Sequence, residues 1–390
     1  MSSLESLLST KLIEREQKGL IRNRLSLQSS QSSSIKIQNR YFLNFSSNDY
    51  LGLANNPDTL QSIKNQLDRS GFGSGASHLI CGHHQIHQEL ETALAMFLQR
   101  DSAITFSTGY MANLAILQSL AKKGDLIISD KLNHASIIDG IKLSDAQSVR
   151  YSHGDLIALE SRLKKQATNK WVVTDSVFSM DGDIAPLRNI ADLCKKYDAN
   201  LIVDDAHGFG VLGENGRGCV EHFGLTQSDC PVLMGTFGKA LGGYGAFVSG
   251  SHTLTSYLKQ FARPYIYTTA QPPAIAAGNL HNLGIIQSKP QIKQKIIENI
   301  KHFKLQCASK NIGLLDSDTA IQPIVIRNTK KLKVLDQKLK EKGLLVGAIR
   351  PPTVAINSDR LRIALSASHS FEQIDYLVSH LNQYIETHET

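Results

Sequence analysis

Apolar positions along the chain change their period several times. Near the N-terminus Leu4, Leu7, Leu8, Leu12 and Leu20 recur at helical intervals, which predicts an amphipathic helix over residues 1–25. Residues 26–34 (SLQSSQSSS) have no apolar period and read as a loop, followed by a short strand pair at 35–37 and 41–45. From about residue 48 to 285 short β-branched runs alternate with helical stretches. The runs lie at 103–106, 126–129, 171–174, 201–203, 232–235 and 246–248; the helices lie at 85–99, 110–121, 156–165, 186–197 and 254–261. Strands separated by helices of that length need crossover connections, so the pattern predicts a mainly parallel sheet. After residue 285 the character shifts to a Lys- and Ile-rich helix at 291–308 and a strand at 321–327. A helix at 330–342, strands at 345–349 and 361–365 and a closing helix from Phe371 complete it.

That order predicts an α/β fold in three parts. Residues 1–47 form an N-terminal helix and arm that join a small domain, 48–285 a large α/β domain with a mainly parallel sheet, and 286–390 a small α+β domain. A length of 390 residues, above the usual size of one hydrophobic core, agrees with more than one domain. At 41% hydrophobic and 20% charged residues, the chain reads as a soluble globular protein and not a disordered one. No apolar run approaches the roughly 20 residues that cross a bilayer, so no membrane partner is expected. The opening MSSLESLLSTKLIEREQ lacks the basic-then-apolar order of a secretory signal. Cys81, Cys194, Cys219, Cys230 and Cys307 are odd in number and scattered, which suggests neither a disulfide framework nor a cysteine zinc site. A cytoplasmic protein fits both. Forty-two basic against 35 acidic residues give a net charge of +7. The lysines and arginines are dispersed, so the balance reads as a solvated basic surface and no nucleic-acid partner is expected.

Three motif-like segments carry little chemistry. Gly71–Gly75 (GFGSG) does not fit G-x-G-x-x-G and follows no strand, which removes a dinucleotide site. Gly238-Lys239-Ala240 fails as a P-loop, because Leu233 stands where the first glycine belongs and Ala240 where a hydroxyl does. His83, His84 and His87 form H-H-x-x-H with His78 nearby, but without the glutamate of H-E-x-x-H, and no metal is expected there.

The informative residues follow strands, where ligands of parallel sheets bind. Asp204-Asp205-Ala206-His207 ends the run at 201–203, and Thr236-Phe237-Gly238-Lys239 follows the run at 232–235. An Asp in such a place is often a turn or cap, and a lysine often lies on the surface. A lysine framed by small residues after a buried strand, however, loses water and becomes a competent nucleophile. Together they describe pyridoxal 5′-phosphate (PLP) chemistry, with a lysine for the Schiff base and an acid for the pyridinium nitrogen. Ser107-Thr108-Gly109-Tyr110 opens a helix, where free N–H groups favour a phosphate. Asn133-His134-Ala135-Ser136 presents an imidazole beyond the run at 126–129, and Ser176 and Ser179 offer hydroxyls after another.

With these motifs the chain resembles the α-oxoamine synthases, fold type I PLP enzymes that condense an amino acid with an acyl thioester and lose carbon dioxide. The resemblance runs from Ser47-Asn48-Asp49-Tyr50 to Arg360-Leu361-Arg362, and is densest at HQELE (87–91), NHAS (133–136), VFSMDGD (177–183), VDDAHGFG (203–210), GRG (216–218) and TFGK (236–239). Arg22, Arg24 and the segment Ala348–Val354 (AIRPPTV) resemble the branch that serves biotin biosynthesis. That branch implies L-alanine and a pimeloyl thioester, carried by CoA or acyl carrier protein, as substrates; glycine C-acetyltransferase and a non-catalytic PLP-fold regulator are the alternatives. The resemblance implies that Lys239 holds PLP, Asp204 faces the pyridine nitrogen, His207 and Ser179 contact the cofactor, and His134 stacks on its ring. It further implies that Gly109, Tyr110 and Thr236 hold the phosphate, that Arg362 with Asn48 and His134 bind alanine, and that Arg22 and Thr353 contact the acyl substrate. A homodimer is implied as well, with Thr268 or Thr269 reaching a neighbouring subunit's phosphate. His78 stands where relatives commonly have Arg, and a histidine there is expected to weaken that contact or titrate near neutral pH.

Overall fold

The computed structural model describes residues 3–18 and 20–386, and their twelve strands sort into two sheets. The first hairpin pairs β1 (Ser34–Ile37) with β2 (Arg40–Phe45), turning through Gln38 and Asn39 at positive φ, as two-residue hairpin loops require. Then come β3 (Ser102–Phe106), β4 (Leu126–Asp130), β5 (Gln147–Tyr151), β6 (Lys170–Asp175), β7 (Asn200–Asp204), β8 (Val232–Thr236) and β9 (Ala246–Gly250). They form one sheet in the order β3-β9-β8-β7-β6-β4-β5, parallel at every pair except the two made by β9. β10 (Ile321–Val325), β11 (Leu344–Ile349) and β12 (Arg360–Ala364) complete a five-stranded sheet in the order β1-β2-β11-β12-β10. β2 lies parallel to β11, so segments from both ends of the chain build this smaller sheet.

The central strands are apolar throughout because helices cover both faces: Ile127, Ile128, Leu201, Ile202 and Val203 are all buried. Edge strand β5 was not among the expected runs. Gln147, Ser148 and Arg150 face solvent there, and a strand covered on so little of its surface leaves no apolar signal. The helix Pro57–Ser70 was not among the expected helices either, although Leu60, Ile63 and Leu67 share its face and its ends are punctuated. Asn56 accepts the N–H of Thr59 at 3.1 Å, Pro57 opens the first turn, and Gly71 at φ 70° ends it. The helix Pro273–Ser288 runs through residue 285, so the change of element falls a few residues later than the apolar pattern suggests.

The N-terminal helix corrects an expectation. It spans Ser3–Gln17 rather than 1–25, with Met1, Ser2 and Gly19 outside the described residues, and none of its residues is buried. Leu4, Leu7, Leu8 and Leu12 are all exposed, because the period of a stripe says nothing of what covers it. From Leu20 the chain runs without regular secondary structure, and the Ile21 carbonyl accepts a bond from Arg350 Nη2 at 2.9 Å beside the smaller sheet. Arg360, opening β12, donates to the Met180 carbonyl at 3.3 Å and pairs with Asp181, which ties that sheet to the loop after β6. The carboxyl ends of β3, β4, β6, β7 and β8 all reach one edge of the larger sheet, and the residues that follow them meet there.

Candidate active site

Lys239 follows β8 in a turn that packs closely against the segment at Leu53 and Ala54. A Cβ on Gly242, at φ 65°, would fall 2.4 Å from the backbone nitrogen of Ala54. The lysine lines a cavity together with Asp175, Asp204, His134 and His207. Loss of water is the main influence on its amine and holds the pKa below the usual lysine value, while the carboxylates of Asp204 and Asp175 pull the other way. Asp204, buried at the end of β7, is fixed by two N–H donors. Ala206 N–H reaches Oδ1 at 3.0 Å, and the Asn113 amide reaches Oδ2 at 2.7 Å. Asp175, also buried, accepts the backbone N–H of His134 at 2.8 Å. Burial first, then the neighbouring Asp204 charge, raises the Asp175 pKa well above the carboxylate range.

His207 Nδ1 lies 2.7 Å from the Tyr50 hydroxyl. Loss of water, reinforced by the positive charges of Lys239 and Arg362, pushes this imidazole well below its ordinary pKa, so the ring is neutral. His134 caps the helix Ala135–Leu143 and contacts Ser136 through Nδ1. Loss of water lowers its pKa too, although Asp204 opposes that shift.

The far end of the cavity is suited to an anion. The helix Gly109–Leu120 begins on the cavity wall, and Thr108 caps it by accepting the Met111 N–H at 3.1 Å. A Cβ at Gly109 would meet Thr236 Cγ2 at 2.6 Å, and Thr236 Oγ1 is buried without a hydrogen-bond partner. A helix start, a glycine kept bare and an orphaned hydroxyl fit a phosphate group. With Lys239 and Asp204 in the same cavity, the residues present suit PLP from its aldehyde to its phosphate.

Of the other expected residues, Ser179 lines this cavity, and its carbonyl accepts from Arg362 Nε at 2.5 Å. Arg362 also donates to Asn48 Oδ1 at 3.1 Å, so the arginine and the asparagine are held together beside Ser179. Arg22 and Thr353 sit apart. Arg22 Nη2 is 3.5 Å from Thr353 Oγ1, and both line a second hollow with Arg350 between the N-terminal arm and the smaller sheet. Thr268 and Thr269 line neither. Tyr50, Asn113, Ser136 and Asp175 belong to the constellation yet were not singled out. All four stand beside motif residues, but nothing local shows that Asn113 reaches Asp204, 91 residues away, or that Tyr50 reaches His207, 157 residues away.

The histidine cluster has another character. His78, His83 and His87 each offer a ring nitrogen within 4.8 Å of the others. His87 Nδ1 accepts the His84 N–H at 3.0 Å and Nε2 meets the Gln271 carbonyl at 2.7 Å, so both its nitrogens are engaged. His78 stacks on Tyr265 at 5.2 Å, and burial pushes its pKa down to about 3. It therefore does not titrate near neutral pH as expected, because the packing that replaces water around the ring opposes its charge.

Comparison with known proteins agrees with this geometry. Residues 40–381 match the family described as aminotransferase class I and II. The 8-amino-7-oxononanoate synthase of Marinobacter nauticus is 49% identical over 365 residues, covering 94% of this chain and 93% of the relative. Among solved structures, serine palmitoyltransferase from S. paucimobilis with bound PLP–myriocin aldimine superimposes with a TM-score of 0.93 at 29% identity, covering 99% of each chain. The 8-amino-7-oxononanoate synthase of Francisella tularensis gives a TM-score of 0.79 at 35% identity, covering 90% of this chain and 99% of the other. The backbone match favours one activity and the sequence match another. A backbone is shared by enzymes of different substrates, so the side-chain identity is the better guide.

Proposed function

The chain belongs to the class I and II aminotransferase family, among the 8-amino-7-oxononanoate synthases, and from that premise we propose that it joins L-alanine to a pimeloyl thioester. The products are 8-amino-7-oxononanoate, carbon dioxide and free thiol, as biotin biosynthesis requires. The protein is a PLP-dependent acyltransferase. One observation carries the reading: on a chain 49% identical to such a synthase, Lys239, Asp204, His207 and His134 line one cavity.

Bound PLP supplies an electron sink for the pair left on the alanine Cα when its proton departs. Lys239 would hold the cofactor and would take the Cα proton of alanine on Nζ. The loss of water that lowers its pKa favours the unprotonated amine that both tasks need. Asp204, anchored by two N–H donors, would face the pyridine nitrogen and keep a proton there. His207 would contact the ring oxygen beside Ser179. The N–H groups of Gly109 and Tyr110, with the Thr236 hydroxyl, would hold the phosphate. Arg362, steadied by Asn48, pairs with the alanine carboxylate until it leaves as carbon dioxide. His134 lies over the reacting atoms, and Arg22 with Thr353 receives the acyl chain from CoA or acyl carrier protein. The working form is a cytoplasmic homodimer, in which Thr268 or Thr269 reaches the neighbouring subunit's phosphate. Among the described residues no helix is long and apolar enough to cross a membrane.

The test is thiol release by PLP-loaded protein, crossing alanine, glycine and serine with pimeloyl, acetyl, succinyl and palmitoyl thioesters. Turnover confined to alanine plus pimeloyl is expected. Preference for serine with palmitoyl, or glycine with acetyl, would overturn the substrate assignment and leave the Lys239 chemistry standing.

A further inference from the structure

A row of hydrogen bonds connects the two sides of the cavity, and its direction can be worked out bond by bond. Asn113, 2% exposed, donates from Nδ2 to Asp204 Oδ2 at 2.7 Å and to Ser136 Oγ at 2.8 Å. A carboxylate only accepts, so Asp204 decides which end of the amide is nitrogen. Both amide protons are then committed, one to each neighbour. Ser136 Oγ receives the second and keeps its own proton for His134 Nδ1, 2.8 Å away.

The Ser136 backbone confirms that direction. Its N–H also points at His134 Nδ1, at 3.3 Å. A proton on Nδ1 would set two N–H groups face to face and leave the Ser136 hydroxyl proton with no acceptor among the described residues. Nδ1 is therefore an acceptor. In a neutral imidazole the proton must then sit on Nε2, and His134 is exposed along the cavity wall. Loss of water lowers the ring's pKa, which keeps it neutral.

We propose that Asn113 and Ser136 are positioning residues that set His134 in its Nε2–H tautomer, so that the ring offers a hydrogen-bond donor to the cavity. The Asp204 carboxylate, which would face the cofactor's pyridine nitrogen, thereby also orients the imidazole of His134 through Asn113 and Ser136. A donor at Nε2 suits a substrate oxygen, above all the thioester carbonyl oxygen on which negative charge grows as the alanine carbon attacks. It equally forbids that nitrogen to act as a base, which leaves proton removal to Lys239. The identity of the oxygen rests on the reaction proposed above; the tautomer does not.

The test separates the two. Cofactor-free protein labelled with 15N-histidine reports directly which ring nitrogen carries the proton, with the His134 signals identified by their loss in His134→Asn. A single Nε2–H form is expected in the unaltered chain. A minor Nδ1–H form is expected to appear in Ser136→Ala and in Asn113→Ala, held down by the backbone N–H that both keep, and the single form should return in Ser136→Thr, which keeps the hydroxyl. A proton on Nδ1 in the unaltered chain overturns the proposal whether or not any variant folds. So does an unchanged pattern in both alanine variants. With PLP and substrates, Ser136→Ala should lower kcat by about tenfold, the scale of one lost orienting hydrogen bond, with the alanine KM little changed. If the unaltered enzyme does not turn over alanine and pimeloyl thioester, the reaction assignment fails while the labelled spectra still decide the tautomer.

Discussion

The Tyr50 hydroxyl stands 2.7 Å from Nδ1 of His207, joining the segment that leaves the smaller sheet to the turn after β7. The same hydroxyl lies 3.2 Å from Asn48 Oδ1, which Arg362 also holds. The proposed cofactor contact and the proposed carboxylate site thus share a buried tyrosine. Removing its oxygen strands polar groups on both sides. Tyr50→Phe should cost about 1–2 kcal/mol of stability, read by urea unfolding of the cofactor-free protein. It should also lower turnover by releasing the His207 ring. An unchanged unfolding midpoint would show that the contact contributes no net energy.

Thr236 offers the opposite case. Its buried Oγ1 has no partner, so the hydroxyl is a cost in the cofactor-free fold. Thr236→Val keeps the shape and removes that cost. The variant should be at least as stable as the unaltered chain, yet bind PLP about tenfold more weakly, the effect of one lost hydrogen bond. Fluorescence titration with PLP measures the second effect and thermal unfolding the first. Unweakened PLP binding would remove Thr236 from the phosphate site.

Arg362 presents a planar fork with two of its groups tied to Ser179 and Asn48. Arg362→Lys keeps the charge and loses the fork. The KM for alanine should rise about tenfold to a hundredfold while that for the thioester stays near its original value. Equal rises in both would mean that the arginine supports the fold of the site and not alanine itself.

His153 supplies a pH signature away from the chemistry. It lies 3.1 Å from Asp130 Oδ1 and 2.9 Å from Asp183 Oδ2, and the bond to Asp130 foremost, then that to Asp183, pushes its pKa up to about 10. The folded value is above the unfolded one near 6.5. The charged histidine's contribution is therefore complete below about pH 6.5 and fades as pH climbs toward 10. His153→Asn should lose about 1–3 kcal/mol at pH 6, and the gap to the unaltered chain should narrow steadily at pH 8 and 9. A gap that widens with pH would contradict the assigned charge.

Much of this protein could be read from its residues alone. Buried strands such as Leu201–Val203 declare themselves because both faces are covered, so every position must be apolar. Lys239, Asp204 and His207 were legible for a related reason. In a parallel sheet the residues just after such strands share one edge, so local sequence predicts that they meet. β5 escaped because, at the sheet edge, too little of its surface is apolar to mark a period of two.

What the tertiary structure alone decided are the partnerships between segments far apart in sequence. No spacing shows that Asn113 holds Asp204 across 91 residues, or that Arg362 reaches Asn48 across 314. The N-terminal leucines kept their helical period yet cover nothing, and His78 lost its charge to the packing around it. Periodicity is a property of neighbours along the chain. Burial, desolvation and the direction of a hydrogen bond depend on neighbours in space, and only the folded chain supplies those.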